Sequence, residues 1–593
     1  MCGICGELRL DGHSAQQQIV AQMLPHLAHR GPDHEGVWLQ DKVAFGHRRL
    51  AIIDLSDRSN QPMIDTELGL TIVFNGAIYN YPELRKQFIA EGYQFNSDGD
   101  TEVILKAYHK WGERCPEYLH GMFAFAIWDQ KKDSLFIARD RMGIKPLYYN
   151  QQNNVFRFAS NPQALLATGG VDKSIDAVGL HHQFTLHGVV PAPHTIIKGI
   201  RKLAPGTSLT ISSEGKTQHR RYWTLSATRP DQPRTEEEWT EAIHTALREA
   251  VRKRLMIADV PVGVLLSGGL DSSLLVALLA EAGVKDLLTF SIGFEDQPEE
   301  KGSEFEFSDQ VVERYQTRHH KIHIPNDQVL QRLPEAVNYM AEPMFGQDAV
   351  AFYLLSEQVS KEVKVVQSGQ GADEVFAGYF WYPMMDRDIN GSDVDRFARY
   401  YFDRSHSELL ESIDPSYHGD DFTTQRIAEL LAEPEADSFI DRVLSMDITT
   451  LVVDDPVKRV DNMTMAFGLE ARVPFLDHHL VELAASMPPE YKLQSDGKHV
   501  LKKISRGLIP DAVIDRPKGY FPMPALKYVR GEFLDFMRDI LDSQACRNRG
   551  LYQRNYVEKL LAAPDEHFTA LKGSKLWHLS LLEFWLQTHI DNC

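Results

Sequence analysis

The sequence is poor in cysteine and lacks long apolar segments. Among its 593 residues only five are cysteines, and their spacing fits neither a disulfide framework nor a zinc site: Cys2, Cys5, Cys115, Cys546 and Cys593. No apolar run approaches the roughly 20 residues that span a membrane, and no basic segment followed by an apolar one marks a signal peptide. We therefore expect a protein of the reducing cytoplasm with no membrane partner.

Basic residues are in the minority. Lysine and arginine number 63 against 83 acidic residues, which gives a net charge of −20 and argues against a nucleic-acid partner. The hydrophobic content of 43% and the charged content of 25% are ordinary for a globular protein. A chain of 593 residues is too long for one hydrophobic core, so we expect at least two domains.

The sequence contains neither a Walker P-loop nor a G-x-G-x-x-G motif, yet one stretch has the properties of a polyphosphate site. An apolar run from Val260 to Leu266 predicts a buried parallel strand, and an apolar helix is predicted from Ser273 to Ala282. Between them lies the turn Ser267-Gly268-Gly269. A strand, a glycine-rich turn and a helix N-terminus together present backbone N–H groups to an anion. The alternative is a simple glycine turn.

The rest of the C-terminal half alternates between strand and helix patterns. Strands are predicted at 287–294, 320–324 and 363–367, and the last leads into Ser368-Gly-Gln-Gly-Ala-Asp-Glu374. This alternation predicts a doubly wound parallel sheet with added helices, in which ligands gather at the carboxyl ends of the strands. Both glycine-rich loops fall there, so Asp271 and Asp373 are candidate Mg²⁺ ligands. The alternatives are a helix cap for Asp271 and a surface acid for Asp373.

The N-terminal half carries a candidate nucleophile at its start. Removal of Met1 would leave Cys2 as the first residue, with an α-amino group beside its thiol that can serve as a base. A buried structural thiol is the alternative. Many strand-like segments and few helices follow, including paired strands predicted at 121–128 and 135–148 and a strand ending in Asn75-Gly76.

In their order and spacing, residues 2–223 resemble a class II glutamine amidotransferase domain. The segments that carry the resemblance are 1–6, 29–33, 46–54, 73–80, 98–102 and 121–148. The resemblance implies an αββα sandwich of the N-terminal nucleophile hydrolase type that hydrolyses glutamine to glutamate and ammonia. It also implies that Cys2 is the nucleophile and that the Asn75 side chain and the Gly76 N–H form the oxyanion hole.

The same resemblance implies that Arg49 binds the α-carboxylate of glutamine and that Asp100 binds its α-amino group. A guanidinium suits a carboxylate because it can donate two parallel hydrogen bonds. The implied glutamine site consists of Arg49, Leu50, Ala51, Ile52, Ile53, Asn75, Gly76, Ala77 and Asp100. Three alternatives stay open: Asn75-Gly76 as a mere hairpin turn, Asp100 as a mere helix N-cap, and Arg48 in place of Arg49.

A polar, proline-bearing stretch separates the two halves. It predicts a linker at 224–240, with a helix beginning at Trp239 and a second domain over 241–593. In that domain, the stretch from Arg516 to Pro524 is predicted to be a rigid loop and is a candidate neighbour of the acceptor site, although the sequence alone does not place it there. The apolar segment from Ser574 to Ile590 is predicted to be a core helix rather than a ligand cage.

Taken end to end, the chain resembles the glutamine-hydrolysing asparagine synthetase family. Its Ser-Gly-Gly-x-Asp-Ser loop is similar to the pyrophosphatase loop of N-type ATP pyrophosphatases. The resemblance implies ATP and Mg²⁺, adenylation of an acceptor carboxylate, an internal ammonia tunnel and small-molecule substrates only, with a homodimer as a possible assembly. Lys498, matched through K-x-x-L-K, is implied to lie beside the phosphates or the acyl-adenylate, with an ordinary surface lysine as the alternative. The implied ATP site consists of Leu266, Ser267, Gly268, Gly269, Asp271, Ser272, Ile292, Ser368 and Gly369.

One residue departs from the family pattern. Asparagine synthetases carry Ser-Gly-Glu-Gly-x-Asp-Glu, whereas this chain has Gln370 at the third position. An amide cannot act as a base at neutral pH, so the change removes a potential catalytic base at this position. We interpret it as a mark of a changed acceptor, because the motif set resembles the branch that amidates N-acetylglutaminylglutamine. The alternative is drift with ordinary aspartate chemistry.

Two other readings of the chain make different predictions. A non-catalytic storage or binding relative would not need the intact set of candidate residues. A synthetase that closes its own substrate, as β-lactam synthetases do, would lack the terminal cysteine, which is present here as Cys2.

Overall fold

The computed structural model describes residues 2–298, 301–516 and 523–591. Residues 517–522 of the predicted loop near the acceptor, and Cys593, lie outside the described residues. Within the described part, no helix is long and apolar enough to cross a membrane.

The N-terminal half is built on two antiparallel sheets. Within residues 2–223, all of which are described, the sheets have six strands each, in the orders β10-β8-β9-β1-β3-β2 and β12-β11-β7-β6-β5-β4. The strands are β1 (Gly3–Arg9), β2 (His34–Gln40), β3 (Val43–Arg49), β4 (Met63–Asp65), β5 (Leu70–Ile78), β6 (Gly121–Asp129), β7 (Ser134–Arg139), β8 (Tyr148–Gln152), β9 (Val155–Ala159), β10 (Arg201–Lys202), β11 (Thr207–Ser212) and β12 (Thr217–Arg221).

Side chains that alternate along the strands fill the space between the sheets. Ile4 and Phe45 of the first sheet and Val73 and Ile137 of the second are buried in one cluster. Helices cover the outer faces of both sheets, as the predicted αββα sandwich requires. They are Gln17–Met23, Leu24–Arg30 (3₁₀), Asp57–Ser59 (3₁₀), Tyr81–Ala90, Asp100–Trp111, Gly112–Arg114 (3₁₀), Cys115–Tyr118, Pro162–Leu166 and Ala177–Thr185.

Two local predictions for this half were wrong. Asn75 and Gly76 lie inside β5, where they pair with Ala124 and Phe123 of β6, so they do not form a hairpin turn. The strand predicted over 135–148 ends at Arg139, and the chain re-enters the other sheet at β8. The reason is Asp140, whose buried carboxylate accepts hydrogen bonds from the N–H groups of Ile144 at 2.9 Å and Lys145 at 3.0 Å and so fixes a loop.

The helix after the predicted linker begins earlier than expected. It spans Glu236–Met256, three residues ahead of the predicted start at Trp239. Thr235 and Glu238 form a capping box, in which each side chain accepts a hydrogen bond from the other residue's backbone N–H, at 3.2 and 2.8 Å. This exchange satisfies two N–H groups that the start of a helix leaves without partners.

The C-terminal half contains the predicted parallel sheet. In its described residues the sheet has five strands in the order β15-β14-β13-β16-β17, and all neighbouring pairs are parallel. The strands are β13 (Val262–Leu265), β14 (Leu288–Phe294), β15 (Arg318–Ile324), β16 (Val365–Gln367) and β17 (Glu470–Arg472). β17 was not predicted, because three residues carry too little pattern. The central neighbours β13 and β16 precede the two glycine-rich loops, so both loops leave the same edge of the sheet.

Helices surround this sheet and extend beyond it. The α-helices are Leu270–Glu281, Phe305–Tyr315, Asn326–Tyr339, Asp348–Val359, Ala372–Val375, Trp381–Arg387, Asp393–Tyr401, His406–Ser412, Phe422–Ala432, Phe439–Met446, Lys458–Met465, His478–Ala485, Glu490–Leu493, His499–Ser505, Asp511–Ile514, Pro524–Lys527, Gly531–Asp542, Gln544–Arg549, Arg554–Ala562 and Lys575–Leu586. Short 3₁₀ segments are Pro415–Tyr417, Pro474–Leu476 and Pro564–Glu566, and π-helical segments are Asp447–Leu451, Val453–Val457 and Gln587–Asp591.

The helix predicted at the C-terminus packs into the core, which confirms that prediction. Trp577 and Trp585 are both buried, and their indole N–H groups donate to the carbonyls of Phe345 at 2.9 Å and Met340 at 2.8 Å. A buried indole N–H needs such a partner. The helix therefore ties the end of the chain to the loop that follows helix Asn326–Tyr339.

Candidate active sites

The first candidate site forms where the start of β1 meets β5. The Cys2 nitrogen donates a hydrogen bond to Asn75 Oδ1 at 3.0 Å, and the thiol is buried. Burial is the largest influence on the Cys2 thiol and raises its pKa, while a hydrogen bond from the Leu50 backbone and the charge of Arg49 act in the opposite direction. The thiol is therefore protonated at rest and needs a base before it can act as a nucleophile.

The Asn75 side chain is held with its amide donor unused. Its Oδ1 accepts from Cys2, but among the described residues its buried Nδ2 has no hydrogen-bond partner. A buried donor without a partner is costly, and such groups often mark sites where a ligand supplies the missing acceptor. Gly76 follows directly, and a Cβ on it would lie 2.1 Å from the carbonyl oxygen of Met122, so no larger residue fits there.

A small cavity of about 30 Å³ brings most of the predicted glutamine site together. Its lining residues are Cys2, Arg49, Leu50, Ile52, Ile53, Ser59, Gln61, Phe74, Gly76, Asp100, Thr101 and Glu470. Asn75, Ala51 and Ala77 were also predicted but do not line it: Asn75 contacts Cys2, the Ala51 N–H donates to Asp33, and Ala77 is fully buried.

Arg49 rather than Arg48 faces this cavity. The Arg49 guanidinium donates to Asn60 Oδ1 at 2.7 Å and to the Ser56 carbonyl at 2.9 Å, which fixes its orientation. Arg48 instead pairs with Glu35, whose side chain is half exposed. The guanidinium that can reach a ligand carboxylate in the cavity is thus that of Arg49.

Asp100 also lines the cavity and is not a helix N-cap. Helix Asp100–Trp111 has Gly99 at its N-cap, and Asp100 Oδ2 accepts from the Ile78 N–H at 2.9 Å. Burial raises the pKa of Asp100 to about 6, against the effect of its backbone hydrogen bonds. A buried carboxylate of this kind becomes more stable when a cationic ligand approaches it.

Two functional candidates were missed because they depend on the contact between the domains. Glu470 of β17 lines the cavity from the C-terminal half, and although burial raises its pKa, nearby positive charges including Arg472 and Lys145 lower it to about 2. Arg30 donates its Nε to the Cys2 carbonyl at 3.2 Å and its Nη2 to Asp461 at 2.9 Å. Arg30 lies in one of the segments that carry the resemblance, but nothing in the sequence indicates that either residue approaches Cys2.

The second candidate site is the edge of the parallel sheet where β13 ends. Ser267 and Ser272 face each other, since the Ser267 N–H donates to Ser272 Oγ at 3.2 Å. Gly268 has φ of +79°, and a Cβ on it would lie 2.8 Å from the Ser308 nitrogen, so only glycine suits this position. Helix Leu270–Glu281 begins at once, which directs its N-terminus at the loop as a polyphosphate site requires.

The loop after β16 contacts this first loop. The Ser368 N–H donates to the Arg472 carbonyl at 2.9 Å, and a Cβ on Gly369 would lie 3.1 Å from Asp271 Cβ. Leu266 and Ile292 are buried beside the loops at the ends of β13 and β14. The predicted ATP-binding residues therefore converge on one region, and the half-buried Gln370 borders it.

Lys498 forms ion pairs with both predicted metal ligands, Asp271 and Asp373. Its Nζ lies 2.6 Å from Asp271 Oδ2 and 2.7 Å from Asp373 Oδ1, and its side chain is only 9% exposed. Burial lowers the pKa of Lys498, but the two carboxylates outweigh it and raise that pKa, so the group is charged. Helix capping for Asp271 and a surface location for Asp373 are both wrong, because Gly269 is the N-cap and both carboxylates face Lys498.

The backbone before Lys498 is strained. Ser495, Asp496, Gly497 and Lys498 all have positive φ, between +54° and +93°. Non-glycine residues rarely adopt this conformation, and where they do the surrounding structure enforces it, often at functional sites. The strained turn places the Lys498 ammonium between the loops.

Further charged groups that the sequence did not indicate lie next to this region. Arg516 donates to Glu304 at 2.9 Å, and its Nη2 lies 3.7 Å from the position of a Cβ on Gly269, beside the first loop. Burial and the nearby charge of Glu374 raise the pKa of Asp447 well above its usual range, although the hydrogen bond that it accepts from Tyr382 acts in the opposite direction. Arg516 begins the predicted loop, whereas no sequence motif surrounds Glu304 or Asp447.

A larger cavity of about 250 Å³ lies between the domains. Its lining residues include Arg139, Arg141, Trp223, Ser445 and Asp454, and none of the predicted site residues. Its walls come from both halves of the chain.

Comparison with known proteins identifies both halves. Residues 1–223 match the glutamine amidotransferase domain, and residues 242–587 match asparagine synthase. Asparagine synthetase (glutamine-hydrolyzing) 1 of Bacillus subtilis (strain 168) is 31% identical, over 100% of this chain and 97% of the relative. Asparagine synthetase (glutamine-hydrolyzing) 3 of the same organism is 32% identical, over 99% of each. Amidase chry2 of Gibberella zeae is 28% identical, over 88% of this chain and 89% of the relative.

Proposed function

The chain belongs to the family of glutamine-hydrolysing asparagine synthetases, and on that basis we propose that it amidates the terminal carboxylate of N-acetylglutaminylglutamine. The coarser activity follows from the family: the chain is a glutamine-dependent, asparagine synthetase-like amidotransferase that uses ATP. The acceptor, the AMP-forming course and the roles of individual residues are our assignments.

For glutamine hydrolysis we assign the nucleophile to the Cys2 thiol. Removal of Met1 would turn the Cys2 nitrogen into an amine that can take the proton of the thiol. The thiolate would attack the carboxamide carbon of glutamine, and the oxyanion would accept hydrogen bonds from Asn75 Nδ2 and the Gly76 N–H. The unused donor of Asn75 supports this role. Ammonia leaves, and water then releases glutamate from the thioester.

The two ends of the glutamine substrate find opposite charges in the cavity. Arg49 would bind the α-carboxylate, and Asp100 would bind the α-ammonium. Because Arg49 is already held by Asn60 and Ser56, little side-chain freedom is lost when the substrate binds.

For the synthetase half we assign ATP to the two loops after β13 and β16. The N–H groups of Gly268 and Gly269 and the start of helix Leu270–Glu281 would surround the phosphates, and Lys498 would add a positive charge. The residues fit Mg²⁺, because the carboxylates of Asp271 and Asp373 are hard oxygen donors. Their shared contact with the Lys498 ammonium shows that they converge at one place. Bound there together with phosphate oxygens, Mg²⁺ would neutralise charge on the departing pyrophosphate.

We propose that ammonia passes from Cys2 to the second site between the domains. Helix Lys458–Met465 of the C-terminal half contacts the Cys2 region through Asp461 and Arg30, and Glu470 lines the glutamine cavity. The two halves thus meet directly behind the nucleophile. Ammonia released there would face the interface rather than open water, which supports an internal route.

Gln370 is the observation that carries the acceptor assignment. It borders the ATP region at the position where the family pattern has glutamate, and a neutral amide cannot accept the proton that ammonia loses on attack. Buried acids remain close to this loop, among them Glu374 and Asp447. An enzyme that binds a different acceptor would need acidic groups at different positions beside the acyl-adenylate. Aspartate is the second candidate, favoured by the names of the Bacillus subtilis relatives.

The test is pyrophosphate release with ATP, Mg²⁺ and ammonia, which bypasses the glutamine site. Equal concentrations of N-acetylglutaminylglutamine and aspartate are compared, with N-acetylglutamine as a control for the length of the acceptor. We expect turnover with the dipeptide and amide product identified by mass spectrometry. Turnover with aspartate but not with the dipeptide would show that the chain makes asparagine without a carboxylate at position 370.

A further inference from the structure

A cluster of potential metal ligands lies outside both candidate sites. It consists of His187, Asp403 and His578, which we call the His187 cluster. His187 follows helix Ala177–Thr185 of the N-terminal half, Asp403 follows helix Asp393–Tyr401, and His578 lies in the C-terminal helix Lys575–Leu586. Three segments that are far apart in the sequence therefore meet at this point.

Two ligand-atom distances in the cluster are compatible with a tetrahedral metal site. His187 Nδ1 lies 3.0 Å and His578 Nδ1 3.6 Å from Asp403 Oδ2. One ligand atom of each residue lies within 4.8 Å of the other two. Zinc bonds of about 2.0–2.2 Å to nitrogen and oxygen place neighbouring ligands about 3.3 Å apart. The two measured distances lie on either side of that value.

Several polar atoms of the cluster lack a protein partner. His578 is fully buried, and among the described residues neither of its ring nitrogens nor Asp403 Oδ1 has a hydrogen-bond partner. The His578 ring stacks on Phe345 with centroids 4.2 Å apart, which fixes its plane. Buried polar atoms in native structures are almost always satisfied, so three in one cluster require an explanation. A bound cation would take one ring nitrogen of His578 and a carboxylate oxygen of Asp403 as ligands, and it would replace the present hydrogen bond between His187 Nδ1 and Asp403 Oδ2.

The surroundings keep the cluster compact and rigid. A Cβ on Gly573 would lie 3.2 Å from both His187 Cε1 and His578 Nε2, so a glycine there lets the two rings approach the backbone. The neighbouring Arg404 donates to the carbonyls of Phe184 and Lys575, which holds the three segments together. The ligands are thus positioned in advance by contacts outside the cluster.

We propose that His187, Asp403 and His578 bind one divalent transition metal ion, with zinc the best match to two imidazoles and a carboxylate. Such a ligand set suits zinc because imidazole nitrogen and carboxylate oxygen are both among its usual donors. The ion would be structural: it would fasten the segment after helix Ala177–Thr185 to the C-terminal helix. A water molecule would complete the four-coordinate shell of the ion.

The test measures metal in untagged, full-length protein purified without chelators. We expect elemental analysis to find about one zinc per chain in the wild type, with far less in Asp403→Asn and His578→Gln. Replacement by Co²⁺ should give visible absorption bands of a tetrahedral nitrogen and oxygen site in the wild type, and these should be absent from both variants.

A matched control uses another histidine group among the described residues. His120, His478 and His479 also bring three ring nitrogens together at the surface between the domains. His479→Ala disrupts that group, and we expect it to leave the zinc content and the Co²⁺ spectrum unchanged. Zinc lost in His479→Ala but kept in Asp403→Asn would overturn the proposal.

The wild type alone gives a second test in case the variants do not fold. Removing the metal with a strong chelator should lower the melting temperature, and adding zinc should restore it. Wild-type protein that contains no stoichiometric transition metal, and whose melting temperature responds to neither treatment, would contradict a structural metal at the His187 cluster.

Discussion

Asp461 offers the sharpest test of how the two halves are joined. This carboxylate of helix Lys458–Met465 is 2% exposed and accepts from Arg30 Nη2 at 2.9 Å and from Lys145 Nζ at 3.1 Å. Both cations belong to the N-terminal half, and their side chains are 3% and 0% exposed. Asp461→Asn keeps the size of the side chain but removes the carboxylate that both buried positive charges contact, and it leaves Glu470 as the remaining negative charge near Lys145.

The magnitude follows from that burial. Removing one partner of a buried ion pair typically costs about 3–5 kcal/mol, because the remaining charge cannot return to water. We expect Asp461→Asn to lower the free energy of unfolding by about that amount. Since Arg30 also donates to the Cys2 carbonyl at 3.2 Å, we expect a larger loss in glutamine hydrolysis than in ammonia-dependent pyrophosphate release.

The assay is urea unfolding of the wild type, Asp461→Asn and a surface control under identical conditions. The control is Asp133→Asn, because Asp133 pairs with Lys42 at 2.7 Å but its side chain is 49% exposed. Exposed pairs contribute about 0–1 kcal/mol, so the control should be nearly neutral. If Asp461→Asn unfolded like Asp133→Asn and kept full glutaminase activity, the reasoning about this interface would be refuted.

The charge of Asp461 also makes the stability of the folded protein depend on pH. Burial raises the pKa of Asp461, but Arg30 and Lys145 outweigh it and hold that pKa below its usual range. A carboxylate with a lowered pKa in the folded state stabilises the protein above its unfolded pKa of about 3.9, and this stabilisation is lost as the pH falls. Asp461→Asn should therefore flatten the acid side of the stability profile.

Three further predictions concern the two sites. Lys498→Met should reduce ATP-dependent pyrophosphate release by about 10²–10³-fold, because the transition state loses a charge partner, and it should leave glutamine hydrolysis intact. Lys502→Met, measured in parallel, should change little in either reaction. Because the pKa of Asp100 is about 6, kcat/KM for glutamine should fall below about pH 6 as the carboxylate is protonated. Asp100→Asn should abolish this fall on the acid side of the pH profile, and a fall that persists in the variant would contradict the assignment of Asp100 to the α-ammonium group. Gly268→Ala should abolish ATP turnover but not glutaminase activity, because the Cβ would lie 2.8 Å from the Ser308 nitrogen; normal ATP turnover in this variant would contradict the loop assignment.

Elements with strong local patterns could be predicted from the sequence. The buried strand before Ser267, the following helix and the loop at Ser368 have distinctive composition, and the structure places both loops at one edge of the sheet. These features depend on neighbours in the sequence, so a linear pattern contains them. The αββα sandwich, by contrast, was implied by the resemblance of residues 2–223 to a class II glutamine amidotransferase domain.

Features that depend on tertiary contact could not be predicted. Asn75-Gly76 has the composition of a turn, yet pairing with β6 over nine residues keeps it in a strand. Glu470 and Arg30 gain their importance only because the two halves pack together behind Cys2. The contact of Lys498 with Asp271 and Asp373 joins positions more than 100 residues apart, which residue spacing alone cannot reveal.

The central claim is that Cys2 generates ammonia for a separate ATP-dependent site. It is tested most directly by Cys2→Ala, assayed for amide formation with glutamine and, separately, with ammonium chloride as the nitrogen source. The account predicts that the variant loses the glutamine-dependent reaction and keeps the ammonia-dependent reaction near the wild-type rate. Glutamine-dependent amide formation that persists in the variant would contradict the assignment of Cys2 and the two-site account built on it.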